Sequence, residues 1–276
     1  MSNPVFNQME RQWVQQSREA TAQRPPTYDQ KAFEEARLAY EGPSADAVDT
    51  GRMTYDDVIV KTAVNLMVLI AAGAGAWFVA AQNIALAMPL MLGGILLGLV
   101  AAMVNIFSAT IRPPVILLYS ALEGIALGTL SLVTESWAPG VVLQAVLATF
   151  AVFGVTLALF ASGKVRNSPK MQRFALIAII GLIASRVLIW VMGALGAPIG
   201  GVDGPQFGGF PLSVMLSMFA VVIGAICLVS DFDQIKVGVQ TGAPAKFAWK
   251  SAFGLMVTLV WLYVEVLNIL SRMQSR

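Results

Sequence analysis

From Val58 onward the chain is a succession of seven apolar runs, each about 20 residues long, and very few folds accept that pattern. A helix rises about 1.5 Å per residue, so each run is long enough to cross a hydrocarbon layer about 30 Å thick. The runs cover residues 58–81, 85–107, 114–133, 141–162, 174–195 and 210–230, and a seventh ends near Leu270 with an ambiguous start. The composition agrees: 57% of residues are hydrophobic and 12% charged, where a soluble domain carries about 25% charged residues. The expected fold is all-α, a polytopic seven-transmembrane-helix bundle with the last helix central. Its first partner is the lipid bilayer.

Ahead of the runs, residues 1–55 are polar and of mixed charge, and read as a largely disordered tail with one short helix in the Ala/Glu-rich stretch 31–40. The start, Met1-Ser2-Asn3-Pro4, lacks the basic region and short apolar core of a signal peptide. The domain plan is therefore a tail over 1–55, a membrane domain over 56–272, and a short C-terminal tail over 273–276.

The basic residues set the orientation. The connections after the first, third and fifth runs hold no Lys or Arg, whereas those after the second, fourth and sixth hold Arg112, then Lys164, Arg166, Lys170 and Arg173, then Lys236, Lys246 and Lys250. By the positive-inside rule the N-terminal tail is cytoplasmic and the protein sits in a cell's inner membrane. Arg272 and Arg276 at the other end are the one violation. The net charge of +2 is spread over these membrane-flanking segments and gives no nucleic-acid-binding surface. Glycines four apart, Gly94 with Gly98 and Gly124 with Gly128, let helix backbones approach, in the bundle or in a dimer.

Charges inside the runs are costly, so each is a candidate for function. Glu123 and Arg186 fall near mid-bilayer in the third and fifth runs. Asp231 follows the sixth run in Ser230-Asp231-Phe232-Asp233-Gln234-Ile235-Lys236, and Glu265 lies deep in the seventh. Arg186 keeps its proton and needs a carboxylate, carbonyls or water; it is expected to face Glu123 or Glu265. One reading makes that contact a buried ion pair that only fixes helix register. Three acids against one base still leave a carboxylate that must carry a proton or hold a cation. Asp231 and Glu265 are within reach of each other if the last helix starts near Ala252, and well separated if it starts near Ala248. Asp233 points to another helix face, as a solvated residue or a partner of Lys236.

With no histidine and a single cysteine, Cys227, there is no zinc or haem constellation and no disulfide framework within the chain. Any metal chemistry would use oxygen ligands, pointing to Ca²⁺ or Mg²⁺. Asp231 and Glu265 are the candidate Ca²⁺ ligands, and no resident cofactor is expected. An enzyme is not expected either, since a Gly-x-Ser-x-Gly elbow and an intramembrane-protease acid motif are both missing.

Seven runs, the Ser-Asp-Phe-Asp-Gln-Ile-Lys segment and Leu262-Tyr263-Val264-Glu265-Val266-Leu267-Asn268 together resemble the transmembrane Bax inhibitor motif family in a bacterial form, over roughly residues 55–272. The resemblance implies a proton-sensitive pair of acids in the last two helices that closes a calcium leak. By position these are Asp231 and Glu265, the second a glutamate where channel members carry aspartate, on a longer connection. It also implies an arginine that holds the first acid; Arg112 or Arg186 would have to serve. The implied function is a pH-sensitive Ca²⁺ leak channel. A proton-coupled transporter using Glu123 or Glu265, and an interaction protein that restrains a membrane protease through its polar tail, are the competing classes.

Overall fold

The computed structural model describes residues 12–15, 18, 51–108, 110–195, 206–207 and 210–274. Seven helices are long and apolar enough to cross a membrane: α1 (Tyr55–Gln82), α2 (Ala87–Phe107), α3 (Pro113–Trp137), α4 (Val141–Ala161), α5 (Pro169–Ala194), α6 (Leu212–Gln240) and α7 (Phe247–Gln274). A 3₁₀ turn (Ile84–Leu86) precedes α2, and a two-residue antiparallel pairing joins β1 (Gln206–Phe207) to β2 (Phe210–Pro211) ahead of α6. The stretch 31–40 lies outside the described residues; residues 12–15 and 18 are helical.

Helix starts follow local chemistry. The Thr54 hydroxyl accepts from the Asp57 N–H at 3.0 Å, and Asp56 and Asp57 complement the positive end of α1. Ser168 caps α5 in the same way, with Pro169 just inside the helix. The sixth apolar run ends at Ser230, but the helix itself continues to Gln240. The added turns are amphipathic rather than apolar. Phe232 and Ile235 face the core, while Lys236 and Val237 are exposed. Gly242, at a φ of 69°, then ends the helix, with the Ala243 N–H closing on the Gly238 carbonyl at 2.9 Å.

Two packing arrangements position the site. First, α3 is pressed between α1 and α2 through its glycines. A side chain at Gly128 would collide with the Gly73 backbone and one at Gly124 with the Leu69 carbonyl, while Gly94 of α2 lies against the α3 backbone at Leu122 and Ala126. Second, α6 and α7 form an antiparallel seam in which α6 presents every seventh residue: Ser217, Gly224, Asp231 and Gly238. Ser217 meets Asn268, Gly224 meets Leu262, and Asp231 meets Gly254 and Thr258. Of the seven helices α7 is the most buried, in keeping with a central last helix, and α5 is the least.

The near end of the bundle, where α1 begins, also gathers the α4–α5 and α6–α7 connections. Residues 51–53 run antiparallel to 243–245, with the Met53 N–H donating to Ala243 at 2.6 Å and the Ala245 N–H donating to Gly51 at 2.8 Å. Lys61 bonds both Asp57 and the Ala245 carbonyl. At the far end the Gln274 side chain donates to the Pro139 carbonyl, so the last helix finishes opposite the end at which α1 starts.

Candidate functional site

One stripe of α7 carries most of its buried polar contacts. Gly254, Thr258, Trp261, Glu265, Asn268 and Arg272 are spaced alternately by four and three, which keeps them on one face of the helix. That face carries two charged sites at different depths.

The deeper site belongs to Glu265. Its Oε2 accepts from Arg186 Nη2 at 2.6 Å and its Oε1 from Trp261 Nε1 at 3.1 Å. The same Arg186 nitrogen donates to Ser217 Oγ at 3.2 Å, which also accepts from Asn268 Nδ2 at 2.7 Å; Asn268 Oδ1 in turn accepts from Arg272 Nε at 2.7 Å. The pair is asymmetric, because the Glu265 side chain is 5% exposed and that of Arg186 is 43%. The acid is the desolvated partner and the one that depends on the contact. Of the two acids expected to face Arg186, the structure selects Glu265. Arg272, read as a tail charge, lies in the last turn of α7 and joins this network.

The second site belongs to Asp231. Its Oδ2 accepts from the Thr258 hydroxyl at 2.7 Å, and its Oδ1 lies over Gly254, which offers no side chain to crowd it. Among the described residues no cationic side chain pairs with Asp231. The arginine expected to hold this acid is not supplied by either candidate. Arg186 is spent on Glu265, and Arg112, the exposed residue before α3, makes no ion pair among the described residues.

Asp231 and Glu265 therefore do not share one site. The helix starts at Phe247, which puts Glu265 about 27 Å from the near end of α7, whereas Asp231 is about 14 Å from the near end of α6. Leu262, fully buried against Gly224, lies between the two sites along the seam. A Ca²⁺ ion with ligands at about 2.3–2.6 Å is not held by both acids in this arrangement. Among the described residues no three His, Cys, Asp or Glu side chains cluster as a metal site would require.

The remaining candidates stand apart. Glu123 lies on α3 facing α2, its Oε1 3.2 Å from where a Gly98 Cβ would be, and it makes no hydrogen bond or ion pair among the described residues. Asp233 is half-buried and does not pair with Lys236: its Oδ2 accepts from Asn167 Nδ2 at 3.0 Å, and Asn167 Oδ1 accepts from the Ser230 hydroxyl at 3.3 Å. This fastens the α4–α5 connection to α6. A cavity of about 560 Å³ opens between α1, α3, α4 and α7, lined by Trp77, Gly128, Val146, Met256 and Tyr263 among others. Its walls are almost wholly apolar and none of the ionisable candidates lines it, so it suits an acyl chain and not an ion.

Sequence reasoning missed Thr258, Trp261, Ser217 and Asn268. The four-three spacing on α7 and the seven-residue spacing on α6 were the available signals. Compared with known proteins, residues 3–275 match a family model described as Bax inhibitor 1 like. No curated protein matches the chain.

Proposed function

The chain belongs to the Bax inhibitor 1 like family of seven-helix membrane proteins, and from that premise we propose that it is a proton-responsive leak pathway for a hard cation such as Ca²⁺. In this reading the near end faces the cytoplasm, because the connections gathered there carry the Lys and Arg residues. The observation that carries the proposal is the contrast between two acids on one seam. Glu265 has a guanidinium against it and serves as part of the scaffold. Asp231 has only a neutral hydroxyl, so its carboxylate is free to exchange a proton or to accept a cation.

Proton control then rests on one acid and not on a shared pair. A proton on Asp231 removes the charge that draws a cation into the seam, and its loss restores that charge. Glu265, Arg186 and Ser217 hold α5, α6 and α7 in register around the route. The Asp231 carboxylate and the Thr258 hydroxyl offer oxygen ligands, which suit Ca²⁺. No catalysis is assigned.

The test is passive Ca²⁺ flux into proteoliposomes at two pH values. Wild-type flux should depend on pH, and Asp231→Asn, which keeps shape without proton exchange, should flatten that dependence. A pH profile unchanged in Asp231→Asn would remove Asp231 from the mechanism. Uphill Ca²⁺ movement driven by a proton gradient would make the protein a transporter instead.

A further inference from the structure

The α6 stripe has a fourth member, Gly238, which no residue of α7 covers. It lies seven residues from Asp231 on the same face, so it marks the near-end mouth of the seam about 10 Å from that acid. Helix α7 begins only at Phe247. The space is filled from elsewhere: the Met53 sulfur stands 3.3 Å from where a Gly238 Cβ would be, and Met53 itself is 2% exposed, clustered with Leu228, Phe232, Ile235 and Ala248. Met53 belongs to neither seam helix. It is held there by the pairing of residues 51–53 with 243–245.

We propose that residues 51–53 are a releasable strap over the mouth of the α6–α7 seam, with Met53 as its stopper. The fastening has the composition of a detachable contact. Two backbone hydrogen bonds hold a segment whose stopper side chain is an unbranched, adaptable thioether. Gly51 and Gly242, both at positive φ, frame the pairing, so it relies on two turns and not on a continuous sheet. Withdrawing Met53 widens the route by which water reaches Asp231 from the near end, and seating it narrows that route. This rests on the reading of Asp231 as the proton-exchanging acid, and it adds control of access to that site.

Two measurements separate the strap from that reading. Arg52 and Pro244 face each other as a bridge pair flanked by the two backbone bonds, a geometry in which Cα atoms are about 4.5 Å apart and a disulfide fits. In a Cys227→Ala background, Arg52→Cys with Pro244→Cys should cross-link on oxidation, and Ca²⁺ flux should fall when oxidised and recover when reduced. The second measurement needs no flux. Cys227, the chain's single cysteine, lies one turn beyond Asp231 and packs near Trp261. If the withdrawn state is a minor one, at or below about 10% of molecules, Met53→Ser should speed labelling of Cys227 by a water-soluble maleimide in nanodiscs by about tenfold. The milder Met53→Ala should shift it in the same direction. Failure of the cross-link, equal flux in the oxidised and reduced forms, or unchanged labelling in both Met53 variants would each overturn the strap. Faster labelling in a protein that shows no flux would support the strap and sink the channel.

Discussion

Thr258 and Glu265 lie seven residues apart on one face of α7, and this offset of about 10 Å is what divides the seam into two sites. Thr258 receives Asp231, and Glu265 receives Arg186. The two acids consequently answer to different partners, and substitutions at them should have different signatures.

Removing Arg186 should destabilise the protein, and removing its partner as well should repair much of the damage. Arg186→Leu leaves a desolvated Glu265 and should cost about 3 kcal/mol, the lower end for one-sided loss of a buried pair because Arg186 is itself 43% exposed. Arg186→Leu with Glu265→Gln should recover most of that. Thermal unfolding in detergent measures both. Rescue by Glu123→Gln in place of Glu265→Gln would contradict the observed pairing.

The hydroxyl of Thr258 is the direct partner of Asp231. Thr258→Val keeps the shape and deletes the donor, so it should move the midpoint of the pH–flux profile, while Thr258→Ser should leave it in place. Equal profiles for both variants would mean that the contact does not tune the acid.

At Gly128 a methyl group would meet the Gly73 backbone, which has no flexible atom to yield. Gly128→Ala should therefore separate α1 from α3 and cost about 1–3 kcal/mol by overpacking. Gly154, with nothing within 4 Å of its Cβ position, is the control and should tolerate alanine.

Orientation is testable by placing cysteines at the two ends in a Cys227→Ala background. Gln82→Cys at the end of α1 should react with an impermeant reagent outside intact cells, and Lys164→Cys between α4 and α5 should not. The reverse pattern would invert the topology proposed from the basic residues.

Much of this architecture was legible in the sequence, because a run of 18 or more apolar residues has few alternatives. The depth of the acids was not. Whether Asp231 meets Glu265 depends on where α7 begins, and Pro244-Ala245-Lys246-Phe247 gives no strong signal for either start. The polar look of 231–240 also concealed three turns of helix whose apolar side is only Phe232, Ile235 and Val239. The partner of Arg186 was narrowed to two acids by depth alone, and only side-chain packing chose between them. Met53 was invisible for a simpler reason: a methionine in a polar segment has no periodicity to betray what it plugs.

Helix α5 is joined to α6 and α7 at two polar points, Asn167 on Asp233 and Ser230 just ahead of its first turn, and Arg186 on Glu265 and Ser217 about 28 Å further along. Between them Ala175 and Leu182 are buried in a small apolar cluster with Ala220 and Ile223 of α6, while most of the remaining surface is exposed and faces acyl chains. Mechanically it is a beam on two pins. Undoing the outer pin leaves a lever that swings about the inner one, and undoing both leaves the beam held by its apolar cluster on α6 alone while the glycine-locked α1–α3 slab stays whole.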